Sequence, residues 1–225
     1  MPEIDIETTI SDVKLFIEKL KADLPEVFPA PSAQQAADAD QTVVVNTNGK
    51  VLFMGDLLEC EIILNPDIEK PSCALEDGRL LAYIKTENED ISALADTWLR
   101  AQANEILPKR ITDWAQKIGV QFNNIAIKDQ KTMWASCSQK NNLNFSYRII
   151  KMPNVVIDYL IVHELVHLIH FNHGEDYWST VAKHCPGYKE HRKWLNANKY
   201  AVLADSDIKY LPPPPPAQEP PADNA

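Results

Sequence analysis

Two histidines four residues apart enclose a glutamate in His163-Glu164-Leu165-Val166-His167, the stretch of the chain best suited to chemistry. On an α-helix, residues four apart point in the same direction, so both imidazoles can bind one metal ion. Glu164 follows His163 too closely to ligate comfortably beside it, and it can instead act as a general base toward water on the metal. All six histidines of the chain lie between residues 163 and 191. The pattern therefore predicts a metal-dependent hydrolytic site.

A catalytic zinc ion has three protein ligands and one open coordination position. His173 lies ten residues after His163, just beyond the expected end of the helix, where the chain can fold back to the metal. His170 competes for this place, because it follows His167 by only three residues and would come near the metal if the helix continued or tightened. The remaining candidates are carboxylates that could ligate or orient a ligand, and histidines expected at the surface or between helices: Glu175, Asp176, Glu190, His184 and His191.

The motif lies in an apolar run from Val155 to Ile169, which predicts a buried helix rather than an amphipathic one. Met152-Pro153-Asn154 suits the start of such a helix, and Asn172 and Gly174 suit its end. Histidine and glutamate side chains buried there without partners would cost roughly 1–3 kcal/mol each. Metal coordination removes that cost, which favours a metal site. The same polar side chains would be costly in lipid, so the run is not a membrane span.

Before the motif, the sequence first has the pattern of β-strands and then that of a helix. Short β-type runs from residue 42 to residue 85 predict an antiparallel meander. From about Asp90 to Ile118 the apolar residues follow a helical spacing, and Pro108 marks a break or kink. The predicted turns of the meander are Asn48-Gly49, Asn65-Pro66 and Asp77-Gly78.

Two further strands are expected next to the histidine helix. Val120 to Lys128 reads as one strand, and the alternation from Leu143 to Ile149 predicts a half-buried strand that runs into the helix. A strand in this position can pair its free edge with an extended substrate. Trp134 to Cys137 could shape the pocket or form a buried turn. The expected fold is α+β, with the buried motif helix against a small antiparallel sheet.

Composition is that of an ordinary globular protein, with 45% hydrophobic and 24% charged residues in 225. A formal charge of −10 disfavours nucleic acid and anionic lipid as partners. The four cysteines are widely spaced and form no Cys-x-x-Cys pair, which favours free thiols. The N-terminal residues lack the basic and apolar segments of a signal peptide, so a cytoplasmic location is expected.

The two ends of the chain differ from its middle. Residues 8–24 have a helical spacing, and the proline-containing stretch 25–41 has the composition of a linker. Five consecutive prolines follow Leu211, which predicts a disordered tail. The predicted organisation is therefore an N-terminal accessory helix with a linker over 1–41, a metallohydrolase domain over 42–200 and a proline-rich tail over 201–225.

Motifs in the second half of the chain resemble the YgjP-like metal-dependent hydrolases, a family in the zincin group commonly classed as metallopeptidases. The resemblance covers roughly residues 131–195. It is carried by Lys131-Thr132-Met133-Trp134-Ala135-Ser136-Cys137-Ser138, Asn144, Arg148, Ile157-Asp158-Tyr159, His163-Glu164-Leu165-Val166-His167, Asn172-His173 and Tyr188-Lys189-Glu190-His191-Arg192-Lys193-Trp194-Leu195.

The resemblance implies a zincin-like catalytic domain that holds zinc with His163, His167 and His173 and uses Glu164 as its base. In related SprT-type proteases the third ligand begins a His-Gly-x-x-aromatic segment, which is similar to residues 173–177 and favours His173 over His170. The chain departs from the family at Ala135, where glycine is usual, and at Met133, where arginine is common.

Three functions follow from these patterns. The first is a zinc metallopeptidase acting on a peptide or protein. The second, also drawn from the family, is a nucleoside triphosphate (UTP) pyrophosphatase, whose phosphates would need cations such as Lys131, Lys140, Arg148 and Lys151. The third is a non-catalytic metal-containing interaction module. Glu164 argues against the third, because metal binding alone does not require this residue.

Overall fold

The computed structural model of the protein describes residues 43–203. The predicted N-terminal helix at 8–24, the linker at 25–41 and the proline-rich segment after Leu211 lie outside the described residues, so these remain predictions. The described chain contains both helices and sheets, and the α+β prediction is confirmed. No helix in the described range is long and apolar enough to cross a membrane.

The first sheet has four strands in the order β1-β2-β4-β3. β3 and β4 pair antiparallel through the predicted turn at Asp77-Gly78, but β2 and β4 pair in parallel. The predicted antiparallel meander is therefore wrong in this part. Leu80, Leu81 and Ala82 of β4 are buried, as expected of a strand with partners on both sides. The strands are β1 Val43–Phe53, β2 Asp56–Leu64, β3 Ser72–Glu76 and β4 Arg79–Ile84.

The turn between β1 and β2 also differs from the prediction. β1 runs without a break through Asn48-Gly49, and the chain reverses instead at Met54-Gly55. Both residues have positive φ, 51° and 93°, as a two-residue hairpin turn requires. Their N–H groups donate to the carbonyls of Ile150 at 2.7 Å and Lys151 at 3.2 Å. The turn thus holds the chain that leads into the histidine helix.

Helix α1, Ile91–Ile118, contains Pro108 within its length. Its second half contacts helix α2, Asn154–Val166, through charged and polar side chains. Arg110 Nε and Trp114 Nε1 both donate to the Oδ1 atom of Asp158, at 2.7 Å and 2.6 Å. Arg110 also donates to the carbonyl oxygen of Asn154 at 3.0 Å. These bonds fix the N-terminal half of α2.

The second sheet has three strands in the order β5-β7-β6. β6 and β7 pair antiparallel, but β5 and β7 pair in parallel, so the sheet is mixed and not antiparallel as predicted. The predicted strand from Leu143 ends at Ser146, where a buried 3₁₀ helix, Tyr147–Lys151, begins. Residues 134–137, for which the sequence left open a role in shaping the pocket or a buried turn, contain a strand. The strands are β5 Asn124–Lys128, β6 Ala135–Cys137 and β7 Asn142–Ser146.

Helix α2 begins after Pro153 as predicted, and most of its side chains are buried on all sides. It ends at Val166, before the predicted end at Asn172 and Gly174. The N–H groups of Leu168 and Ile169 bond to carbonyls three residues earlier, at 3.1 Å and 3.0 Å, so the last turn is tightened. Helices α3, Glu175–His184, and α4, Tyr188–Leu203, complete the described chain.

The contacts of the chain divide it into two compact units. Of the described residues, 43–51 and 58–98 belong to one unit, and 52–57 and 99–203 belong to the other. The second unit contains the mixed sheet, α2 and all six histidines. The domain boundaries predicted from the sequence remain predictions.

Candidate metal centre

Three imidazole rings come together where α2 ends and the chain turns toward α3. His163 and His167 lie one helical turn apart, with ring centroids separated by 5.1 Å. The ring of His173 lies 5.0 Å from that of His163 and 4.7 Å from that of His167. One nitrogen of each ring lies within 4.8 Å of the other two. The fold thus brings together the three histidines named as ligands from the sequence.

The distances and protonation of these rings fit a metal ion. Nε2 of His163 and Nε2 of His173 are 3.2 Å apart. Two nitrogen ligands of a tetrahedral zinc ion lie roughly 3.3 Å apart, because each is about 2.0–2.1 Å from the metal. Burial, with smaller effects from His167 and His173, lowers the pKa of His163 to about 3. Burial also lowers the pKa of His167. Both rings are therefore neutral at neutral pH and can offer a lone pair.

One hydrogen bond orients the ring of His167, and another holds the backbone of His163. Nδ1 of His167 lies 3.2 Å from the carbonyl oxygen of His170. A carbonyl only accepts, so Nδ1 carries the proton and Nε2 keeps its lone pair for a metal. The hydroxyl of Tyr177, a fully buried side chain of α3, donates to the carbonyl oxygen of His163 at 2.9 Å. This bond ties α3 to the last turn of α2.

His170, the competitor for the third ligand position, points elsewhere. Its Nε2 lies 3.1 Å from the hydroxyl of Thr180 on α3. Its side chain does not join the group of nitrogens formed by the other three histidines. The tightened turn after Val166 puts the carbonyl of His170, rather than its imidazole, beside His167. The geometry therefore favours His173.

Glu164 lies beside the triad and is 6% exposed. Burial raises the pKa of its carboxyl to about 7, and a hydrogen bond from the backbone N–H of Cys137 acts in the opposite direction. Cys137 belongs to β6, so the second sheet holds the carboxylate of α2 in place. A carboxyl group with a pKa near neutrality can both accept and release a proton at physiological pH.

Aromatic side chains from α2 and α3 surround the histidines. The Tyr159 ring lies 5.9 Å from that of His163, and the Tyr177 ring 4.8 Å from that of His167. Trp178 stacks against His173 at 5.6 Å with an interplanar angle of 28°. These rings restrict water around the site on the protein side, while His173 itself remains exposed.

The remaining sequence candidates lie outside the triad. Glu175 and Asp176 form the exposed first turn of α3, where acidic residues stabilise a helix, and Glu190 is exposed on α4. His184 is half-buried. His191 is buried and packs against Gly187, where an added Cβ would lie 3.0 Å from its Nε2. Among the described residues, none of these side chains joins the three histidines in a group able to hold a metal.

Two contributions to the site were not predicted from the sequence. One is the N–H of Cys137. Nearly every residue type has a backbone N–H, so only the position of β6 beside α2 reveals that this one bonds to Glu164. The other is the bond from Tyr177 to the backbone of His163. Tyr177 follows His173 by four residues at the start of a helix, and that spacing is the signal that could have suggested it.

Three imidazoles beside a buried, tethered carboxylate define a candidate centre of the metallohydrolase class. The sequence model of the family described as "YgjP-like, metallopeptidase domain" matches residues 6–198. The chain belongs to this family. No curated protein and no solved structure matches the chain. Membership supports a metal-dependent hydrolase in general terms, and the three imidazoles have the donor chemistry that such a metal would use.

Proposed function

We propose that the protein is a zinc-dependent peptidase in which His163, His167 and His173 bind the metal and Glu164 is the general base. The observation that carries this proposal is the meeting of the three imidazoles beside a carboxylate that is held by the second sheet. When bound, zinc would act as a Lewis acid that activates water and polarises the scissile carbonyl.

Glu164 performs the proton transfers in this proposal. Burial raises the pKa of its carboxyl to about 7, so its carboxylate form is a stronger base than that of an exposed glutamate. It takes a proton from the attacking water and passes it to the leaving amine. The hydrogen bond from the N–H of Cys137 limits the rotation of this carboxylate.

Strand β6 offers a place for an extended peptide. Trp134 O accepts from Ser146 N at 2.8 Å, and Ser138 N donates to Asn142 O at 2.9 Å, so these residues bond toward β7. Because backbone groups alternate in direction along a strand, those of Ala135 and Cys137 point the other way. We propose that Ala135 N–H and the carbonyls of this edge pair with the substrate backbone.

The structure offers little support for the alternative function, a nucleoside triphosphate pyrophosphatase. A triphosphate needs several cations that are free to contact it. Arg148, one of the basic residues suggested for this role, is 1% exposed and forms an ion pair with Asp129. Lys151 is also buried. Only Lys131 and Lys140 of the four remain exposed, so the peptidase is the better-supported function.

The test is to purify the full chain, measure bound metal by elemental analysis, and assay peptide mixtures and nucleoside triphosphates. Glu164→Gln should retain the metal and reduce peptide hydrolysis by about 10²–10⁴-fold, the usual contribution of a general base. The matched control is Glu190→Gln, which removes an exposed carboxylate of α4 and should leave hydrolysis unchanged. Protein that binds no zinc with all three histidines intact would refute the proposal.

A further inference from the structure

An exposed guanidinium, that of Arg192, lies beside the candidate metal centre. Arg192, on α4, has its Cζ atom 5.1 Å from the ring centroid of Trp178. The same Trp178 ring lies 5.6 Å from the ring of His173 and 6.0 Å from that of His163. One indole therefore bridges the guanidinium and two of the proposed metal ligands, and it holds Arg192 next to them through a cation–π contact.

The charge of Arg192 acts on the groups of the site. It opposes the effect of burial on the pKa of Tyr159, whose ring lies 5.9 Å from that of His163. Within the part of the chain that the structure describes, no carboxylate lies within 4.0 Å of this guanidinium. Arg192 is thus a cation beside the site that the described residues do not neutralise.

We propose that Arg192 binds a carboxylate of the peptide substrate and makes the enzyme selective for substrates with a carboxylate close to the scissile bond. The inference rests on the proposed peptidase function and deepens it. A guanidinium presents a planar fork of N–H donors that matches the two oxygens of a carboxylate. Its contact with Trp178 orients that fork before the substrate arrives, which lowers the entropy lost on binding.

The neighbourhood of Arg192 suits a peptide carboxylate better than a polyphosphate. One guanidinium can neutralise one carboxylate, whereas a triphosphate carries several charges. The Trp178 ring stacks on Tyr188 at 5.2 Å with an interplanar angle of 17°. This pair provides an aromatic surface next to the cation. The apolar part of the substrate residue that bears the carboxylate can pack on this surface.

The kinetic test compares three sets of otherwise identical peptides: those with a free C-terminus, those with a C-terminal amide, and amidated peptides with aspartate near the scissile bond. Wild type should cleave a carboxylate-bearing set with kcat/KM about tenfold or more above the plain amides, the value of one charged hydrogen bond. The set that is cleaved with the higher kcat/KM shows whether Arg192 binds the C-terminal carboxylate or the aspartate side chain of the peptide. Arg192→Gln should remove this preference, and Arg192→Glu should reverse it.

The control is Lys193→Gln, which removes a positive charge from the neighbouring exposed position of α4. It should keep the preference of the wild type. A carboxylate preference that survives in Arg192→Gln would overturn the proposal. So would equal cleavage of all three peptide sets by the wild type, or a larger effect of Arg192→Gln on triphosphate hydrolysis than on peptides.

A binding measurement separates this inference from the proposed function. N-acetylphenylalanine and its amide are titrated into zinc-loaded Glu164→Gln protein, and the Nε–Hε resonance of Arg192 is followed by NMR. The acid should bind about tenfold more tightly than the amide and shift this resonance, and Arg192→Gln should abolish the difference. If no peptide is cleaved but this preference is present, the peptidase function fails and the carboxylate site stands. If peptides are cleaved and the preference is absent, the carboxylate site fails alone.

Discussion

The two ends of α2 contrast sharply, although they belong to one helix of thirteen residues. Its N-terminal half is held from outside by Arg110 and Trp114, which share the carboxylate of Asp158. Its C-terminal end carries His163, and His167 follows at the cap; both rings are only partly covered. The fixed half allows the other end to hold polar side chains at set positions, which an unanchored helix end could not do. The contacts that stabilise α2 thus lie in its N-terminal half, and the side chains suited to chemistry lie at its C-terminal end.

Removing a ligand at the polar end should have the largest effect on activity. His167→Ala should lose bound zinc and lower peptide hydrolysis by more than about a hundredfold, since even residues that only orient a ligand cost 10–100-fold when mutated. His170→Ala is the matched control, because its side chain contacts Thr180 and only its backbone carbonyl contacts His167. Zinc content and activity are measured together. Equal zinc loss in both variants would show that His170 is a ligand.

A substitution at the turn that supports the start of α2 should affect stability most. Gly55 has φ +93°, and an added Cβ would lie 2.8 Å from Cα of Pro153. Gly55→Ala combines backbone strain of about 1–2 kcal/mol with a clash against the backbone, so the free energy of unfolding should fall by about 2–4 kcal/mol. Chemical denaturation measures this change.

Gly119→Ala separates the two causes. Gly119 also has positive φ, +81°, but no atom of the described residues lies within 4 Å of an added Cβ. It should therefore show only the strain, about 1–2 kcal/mol. If both variants lose the same stability, the close approach of Gly55 to Pro153 contributes nothing.

Breaking the contact between α1 and α2 should cost somewhat less. Asp158→Ala removes the acceptor of both Arg110 and Trp114, and charged hydrogen bonds contribute about 1.5–3 kcal/mol. The indole N–H resonance of Trp114 should move at the same time. Asp113→Ala, which removes an exposed carboxylate of α1, should change neither quantity. Full stability in Asp158→Ala would mean that the bonds to Asp158 contribute nothing, and that apolar packing and the bond from Arg110 to Asn154 hold the fixed half.

Local patterns predicted the polar end of α2 better than they predicted its surroundings. The spacing of His163 and His167 is a property of one helix, and the start of that helix at Pro153 follows from a single residue. Strand partners are not local. The parallel pairing of β2 with β4 joins residues that are distant in the sequence, and the continuity of β1 through Asn48-Gly49 depends on its neighbour in the sheet.

The parts of the site that the sequence did not reveal are backbone and context effects. β6 has three residues, too few for a period of two to be visible. The N–H that it donates to Glu164 belongs to Cys137, whose thiol had suggested nothing about this role. Arg192 is one of several basic residues on α4, and only its contact with Trp178 distinguishes it from Lys193.

The smallest expected effect is on the pH dependence of stability, and it comes from Asp129, a residue outside α2. Hydrogen bonds from Arg148 and then Arg100 lower the pKa of Asp129 to about 2, from an ordinary value of 3.8. A lowered pKa in the folded state gives stability that is present above pH 4 and is lost as the pH falls toward 2. Because the Asp129 side chain is 42% exposed, solvent screening limits this contribution to about 1 kcal/mol or less.

Asp129→Asn should therefore lose less stability than the wild type between pH 4 and pH 2, measured by denaturation at each pH. Asp113→Asn, an exposed aspartate of α1, should follow the wild type. The comparison is between slopes, because the variant also leaves the buried Arg148 without one acceptor and is less stable at every pH. An unchanged slope would show that Asp129 contributes equally in both protonation states.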